Sequence, residues 1–321
     1  MPEAGFEPAH RCRYTPAKCT RLPVPPFGHV RENGEPEQTH PQVTSRSHGV
    51  TIALRVRKVI IVLFRSLTIP IRSSALNVNR TFLTAEWRQL IMLNYEVEPQ
   101  LLAGLVPRGI TLDTWSGRSY VSLVGFLFDR TRVLGMPVPF HRTFEEVNLR
   151  FYVARTVGGE VRRGVTFIKE LVPRRLVAAI ARYAYNEPYD AVAMRHRYGP
   201  VGNGDAPTSI EYGWQAGGTW SHMRVMPIGS GRVPVAGSEE EFITEHYWGY
   251  TRQCDGSTIE YRVSHPPWRV WPVAAAELTG NLAAVYGPAF GAVLSASPRS
   301  AFLADGSAVA VGWPTPLVKD A

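Results

Sequence analysis

Lysine is almost missing from this chain. Only Lys18, Lys58, Lys169 and Lys319 occur among its 35 basic residues, so between residues 59 and 318 a single amine, Lys169, is available for chemistry that needs a neutral or nucleophilic nitrogen. Cysteine is equally scarce. Cys12 and Cys19 fall in the first twenty residues and Cys254 stands alone, which argues against a disulfide framework and against the paired Cys/His spacing of a zinc site. The expected setting is a reducing cytoplasm, with no metal and no cofactor. Long apolar runs are missing too. In "VTIALRVRKVIIVLFRSLTIPI" (50–71), Arg55, Arg57, Lys58 and Arg65 leave only Val59–Phe64 uninterrupted, against the roughly 20 apolar residues of a membrane span. No charged start, apolar stretch and small-residue cleavage site follow in order, as a signal peptide requires.

Acidic residues are thin in one part of the chain only. Residues 1–80 hold 12 Lys/Arg against 5 Asp/Glu, whereas 81–321 hold 23 against 22, so the net charge of +8 sits almost wholly at the N-terminus. A basic tail attracts polyanions without sequence preference, and a specific nucleic-acid interface on the near-neutral body is not expected. The first 48 residues, rich in Pro, His, Arg, Thr and Ser, show no apolar periodicity and cannot bury enough surface to offset their ordering entropy. Residues 1–79 are therefore expected to form a disordered basic extension, and 80–318 a single domain. The opening "EAGFEPAH" looks like the reverse strand of a transfer-RNA T-arm read as protein, since GGN-TTC-GAA-CCN encodes Gly-Phe-Glu-Pro. Residues 1 to about 75 are then expected to come from a start codon placed too far upstream, which an intact mass containing Met1 would overturn.

From residue 80 the pattern is that of a folded body. Strands are expected at 86–97, at two places within 110–133, and at 145–156 and 161–172, the last two joined by the Gly158-Gly159 turn. Further strands are expected at 208–215, 218–226, 241–252 and 257–265. Short helices fit 98–109, 174–185 and the alanine-rich 274–287. Many strands with few helices imply an α+β, β-rich fold around a sheet that curls or closes.

Three stretches carry polar groups that a strand would otherwise avoid. In "EEVNLRFYV" strict alternation sends Val147, Leu149, Phe151 and Val153 to one face and Glu146, Asn148, Arg150 and Tyr152 to the other. That second face either lines a polar cavity or meets solvent. In "FITEHYWGYTR" (242–252), Glu245, His246, Tyr247, Trp248 and Tyr250 crowd together, and Gly249 marks a bulge or the close approach of a neighbour; such density suits a ligand pocket or an aromatic core. In "FIKELVPRR" (167–175), alternation puts Lys169 with Phe167 and Leu171, among apolar neighbours that would lower its pKa. The competing expectation is an ion pair with Glu146 or Glu170.

The segments "LIMLNYEVEPQLLAGLVPRGITLDTWSGRSYVSLVGF" (90–126), "EEVNLRFYV" (145–153), "GVTFIKELVPRR" (164–175) and "EHYWGYTR" (245–252) carry a resemblance to the YqjF-like bacterial family, grouped with the acetoacetate-decarboxylase-like fold. The resemblance covers about 82–316. It implies a curved antiparallel sheet or barrel of the acetoacetate-decarboxylase type, with a few flanking helices and an internal pocket. In acetoacetate decarboxylases the Schiff-base lysine follows a strand in a Glu-Leu-…-Pro-Lys-Lys arrangement. Here the comparable segment runs Glu170-Leu171-Val172-Pro173-Arg174-Arg175, and arginine, protonated at any accessible pH, forms no Schiff base.

Two functions stay open at this point. In the first, the protein binds or transforms a small carboxylate or carbonyl compound. Arg150, Arg174 and Arg175 would then clamp the carboxylate, Asn148, Tyr247, Trp248 and Tyr250 would line the site, and Glu146, His246 and Lys169 would be the catalytic candidates. In the second, the body is a non-catalytic scaffold. The partners expected are a small-molecule ligand and, if any protein, a second copy of the chain, with no membrane.

Overall fold

The computed structural model describes residues 81–138, 141–202 and 205–317. The extension expected over 1–79 lies outside the described residues. Among the described residues, two long strands, β1 (Thr81–Val97) and β3 (Ser119–Val133), enclose the short helix α1 (Pro99–Ala103) and the two-residue β2 (Thr111–Leu112). After β4 (Met136–Pro137) comes the hairpin β5 (Phe144–Val157) and β6 (Glu160–Val172), turning through Gly158 and Gly159, both at positive φ. That is the turn chemistry the Gly-Gly pair dictates. Helix α2 (Arg175–Tyr185) leads to β7 (Tyr189–Ala191) and β8 (Ala193–Tyr198), then to the hairpin β9 (Ile210–Ala216) and β10 (Thr219–Pro227). Helix α3 (Glu239–Thr244), β11 (Trp248–Arg252), β12 (Thr258–Ser264), β13 (Val270–Thr279), α4 (Leu282–Ser295), β14 (Ser300–Gly312) and β15 (Thr315–Pro316) complete the order.

All fifteen strands belong to one sheet, and the fold is α+β and β-rich. Its central path runs β12-β11-β6-β5-β3-β1-β14, and β12 pairs in turn with β14 through Val263↔Val311 and Ser264↔Ala310, so the sheet curls back on itself. The sheet is mixed rather than wholly antiparallel: β11 runs parallel to β6, and β6 parallel to β7. The remaining strands, β13-β10-β9-β8, extend beyond β14. Between that extension and the curled part lies a large apolar core, where Val147, Leu149, Phe151 and Val153 meet Trp214, Met223 and the buried residues of α4. The concave face of β5 is thereby left to carry the polar half of the alternation.

Several elements differ from expectation, among them β7, β8 and β14, where no strand was expected. Ala274–Thr279, expected to be helical, is extended, with Met223↔Leu278 and Val225↔Ala276 paired across β10–β13. Pairing with a sheet outweighs alanine's helix propensity here. The helix starts only at Leu282, capped by Asn281, whose side chain accepts a hydrogen bond from Ala284 N at 3.2 Å, and it kinks at Gly287 (φ 80°) before Pro288. The expected strand over 241–252 is instead a helix through Thr244 followed by β11. Ser238 accepts from Glu241 N (3.2 Å) while Glu241 Oε2 accepts from Gly237 N (2.6 Å), a reciprocal cap that the Ser-x-x-Glu spacing encodes.

Candidate functional site

The concave face of the curled sheet, closed on one side by α2, surrounds a cavity of about 150 Å³. A cavity of this volume is known to admit a benzene-sized molecule. One wall is aromatic. Phe128 stacks on Phe144 at 4.7 Å, Trp87 meets Phe126 at 5.3 Å and Trp268 at 6.1 Å, and His265 lies flat on Trp268 at 4.2 Å.

Acidic side chains line the same cavity, Glu146 directly beside Phe126 across the β3–β5 ladder. Glu146, on the inner face of β5, is 2% exposed; Glu170, near the end of β6, 1%; and Glu187, in the turn after α2, 7%. Their donors are few. Tyr189 Oη donates to Glu146 Oε2 at 3.0 Å, Asn148 Nδ2 donates to Glu146 Oε1 at 3.0 Å, and Tyr261 Oη donates to Glu187 Oε1. Glu170 Oε2 and Asn148 Oδ1 have no partner. Burial opposes ionisation of all three acids. Glu146 is pushed up to about 7 by burial against the pull of Asn148, Tyr189 and Arg150, and Glu187 up to about 8 by burial and despite its bond from Tyr261. Glu170 is raised well above the usual range by burial and then by Glu187 and Glu146. At neutral pH Glu187 is a carboxylic acid more than a carboxylate, and Glu146 stands near its midpoint.

The cavity also holds a buried cation, on the same strand as Glu146 and Asn148. Arg150 is 8% exposed; its Nη2 donates to Ile243 O at 3.3 Å, and its guanidinium lies 5.7 Å from the Tyr152 ring centroid. Its Nε has no partner. Among the described residues no carboxylate comes within 4 Å ion-pair reach of it. Beside it His246 is packed between Tyr152 and Phe242 (4.7 and 5.2 Å). Its Nε2 lies 3.3 Å from Asp113 Oδ2, which also takes Arg163 Nε at 2.7 Å. Burial pushes the His246 pKa down to about 4 against the pull of Asp113, so the ring is neutral. The bond to Asp113 places the proton on Nε2 and leaves Nδ1, which has no partner, as an acceptor.

The expected site residues thus divide. Glu146, Asn148, Arg150, His246 and Trp248 line the cavity. Arg174 and Arg175 stand exposed at the start of α2. Tyr247 leans on His265 (4.8 Å) and donates to Glu245, and Tyr250 is buried with its hydroxyl on Arg162 O (3.3 Å). Lys169 is off the lining, ion-paired with Asp190 rather than with Glu146 or Glu170. The cause is a bulge: Leu149 pairs with Lys169 but Arg150 with Phe167, so Ile168 is an extra residue that breaks the alternation. Phe167 and Glu170 consequently both reach the cavity, three residues apart. Glu170, Glu187, Tyr189, Tyr261 and Asp113 were not among the expected site residues. A Ser-x-x-Glu-like signal exists for none of them; Glu187, in "NEPYD", reads as an ordinary turn acid.

The DUF2071 family model, described as an uncharacterized conserved protein, matches residues 84–308. The protein YqjF of Bacillus subtilis (strain 168), described as uncharacterized, is 29% identical over 196 residues, 61% of this chain and 77% of that protein. Among solved structures, acetoacetate decarboxylase from Legionella pneumophila superposes with a TM-score of 0.53 at 14% identity, covering 80% of this chain and 95% of that one. The enduracididine biosynthesis enzyme MppR complexed with pyruvate gives 0.52 at 14%, covering 78% and 95%. An acetoacetate decarboxylase-like enzyme from Sphingomonas wittichii RW1 gives 0.50 at 13%, covering 78% and 97%. At these identities the likeness is one of fold, which is acetoacetate-decarboxylase-like.

Proposed function

The chain belongs to the DUF2071 family, and on that footing we propose that it binds, and with its own proton donors and acceptors transforms, a small carboxylate or carbonyl compound inside the curled sheet, without Schiff-base chemistry. The observation that carries this reading is Arg150. A buried guanidinium without a counter-ion is costly; the cost is tolerable where a ligand carboxylate completes the pair through charge-assisted hydrogen bonds. Unpartnered Arg150 Nε and His246 Nδ1 both belong to residues lining the cavity. They offer one donor and one acceptor to a carboxylate bearing a neighbouring carbonyl or hydroxyl. Glu146, its pKa pushed up to about 7, can lend a proton to a carbonyl oxygen, and His246 can accept one from a hydroxyl. No lysine lines the cavity, which supports leaving imine formation out.

Thermal denaturation and calorimetry with butyrate and pyruvate test the reading, on the wild type and on Arg150→Met. Ligand affinity is expected to fall on the order of 10- to 100-fold in the variant, as loss of a charge-assisted hydrogen bond of about 1.5–3 kcal/mol implies. The unliganded variant is expected to be no less stable than the wild type, because an apolar side chain of similar length replaces an uncompensated charge. A variant that loses stability while neither acid binds the wild type would favour the scaffold.

A further inference from the structure

The binding reading accounts for Arg150 and leaves three buried glutamates over. An enclosed site with one guanidinium and three carboxyl groups has more acid than its own cation can neutralise. Tyr189 and Tyr261 each donate one hydroxyl proton to the cluster, and Asn148 one amide hydrogen. Two acceptors at this end, Glu170 Oε2 and Asn148 Oδ1, then remain without a donor, on side chains 1% and 3% exposed. What is missing is a group with several N–H donors and positive charge. The remaining walls fit the same group, since the aromatic faces of Trp87, Phe126 and Trp268 line the cavity and attract cations.

We propose that the end of the cavity formed by Glu146, Asn148, Glu170 and Glu187 is a subsite for a cationic nitrogen, an ammonium or a guanidinium, so that the ligand is a small zwitterion whose carboxylate lies toward Arg150. The proposal extends the carboxylate reading, and its test separates the two. The cluster also explains how an empty pocket tolerates so much acid: unliganded, the carboxyls hold their protons, and an arriving cation displaces one to solvent, leaving a carboxylate beside the ammonium. The other charged or titratable groups lining the cavity are Arg150, on the same strand as Glu146, with His141, His246, His265, Tyr185, Tyr189 and Tyr261. Burial raises Tyr185, Tyr189 and Tyr261 further above their ordinary values and lowers His246 and His265 below theirs, which leaves Glu146 and Glu187 as cluster groups that change charge between pH 6 and 8.

Isothermal titration with butylamine, butyrate and 4-aminobutyrate, each in two buffers of different ionisation enthalpy, reads this directly. Butylamine is expected to bind with release of up to about one proton near pH 6, its affinity rising by up to about tenfold per pH unit there and levelling off toward pH 8 as the glutamates of the free protein ionise. Glu170→Gln should weaken butylamine tenfold or more and leave butyrate within twofold. Butylamine that does not bind, binds with no proton release, or is indifferent to Glu170→Gln overturns the subsite. Should that variant fail to fold, the wild-type pH profile and proton count decide alone. Butylamine binding without butyrate binding would sink the Arg150 reading and leave this one standing.

Discussion

Gly249 stands directly opposite Tyr261 across the β11–β12 ladder, and the phenol ring fills the space where a β-carbon would be: Cζ of Tyr261 would lie 2.1 Å from it. The glycine is there to let the ring lie over the strand, which carries the Tyr261 hydroxyl to Glu187. Gly249→Ala must therefore move the ring and break that bond. A ring that is 5% exposed and packed on Tyr185 at 4.9 Å has little room to yield, and a loss of about 1–3 kcal/mol is expected from the overpacking. Denaturant unfolding measures it, and an unchanged midpoint would show that the ring can be displaced freely.

Lys169 pairs with Asp190, whose side chain is 42% exposed. Such a partly exposed pair is worth about 1 kcal/mol or less. Lys169→Met is expected to shift stability by no more than that and to leave binding of butyrate and pyruvate unchanged. Borohydride reduction in the presence of pyruvate or acetoacetate should leave no adduct on Lys169 by peptide mass spectrometry. A trapped imine at that position would mean the amine reaches the cavity after all.

How much of this was legible beforehand depends on one strand and its neighbour. The alternation of β5 runs unbroken, so assigning Glu146, Asn148 and Arg150 to a common face followed from period two alone. The adjacent β6 holds the same signal, but Ile168 is inserted as a bulge. A single inserted residue exchanges faces for everything beyond it, which is how Lys169 left the cavity and Glu170 entered. No local feature of "FIKELV" distinguishes the two outcomes. Glu187 was harder still: it enters the site because Asn186 caps α2 in the left-handed conformation (φ 57°) and turns the chain inward, and only the packing of α2 on the sheet makes that turn interior. Likewise Ser238-x-x-Glu241 was a readable helix start, obscured by the aromatic residues that follow it.

Asp113 ties His246 Nε2 and Arg163 Nε to one oxygen, and its own pKa is held below the usual range by those two bonds although burial pulls it upward. Asp113→Asn keeps an acceptor in place and removes the charge. The His246 pKa should then fall further below its value of about 4, because the variant deletes the carboxylate that favours imidazolium while Arg163 stays. A cost of about 1–3 kcal/mol is expected as Arg163 loses its counter-charge. The chemical shifts of the His246 ring followed against pH check the direction; a rise in its pKa would contradict the assigned hydrogen bond.

The pH dependence of stability should be set by opposing groups inside the same cavity, two buried carboxyls and a buried imidazole. Glu146 and Glu187 are raised by burial from 4.5 to about 7 and about 8. Between the unfolded and folded values the native state therefore holds more protons than the unfolded chain, and stability falls as pH rises, at up to about 1.4 kcal/mol per pH unit for each carboxyl. The contribution is full below about pH 4.5 and is lost once pH has risen through 7 and 8. His246 acts in the other direction. Burial lowers it from 6.5 to about 4, so between those values the unfolded chain binds the extra proton, and stability falls as pH drops. The two slopes oppose each other between about pH 4.5 and 6.5, and beyond pH 6.5 only the acidic cluster is still titrating. Thermal midpoints measured from pH 5 to 9 should consequently decline most steeply just above pH 6.5, and Glu187→Gln should flatten the decline across the whole range from pH 5 to 8. A wild-type midpoint that rises through the same interval would mean that these carboxyls are ionised in the folded protein and are held by a cation.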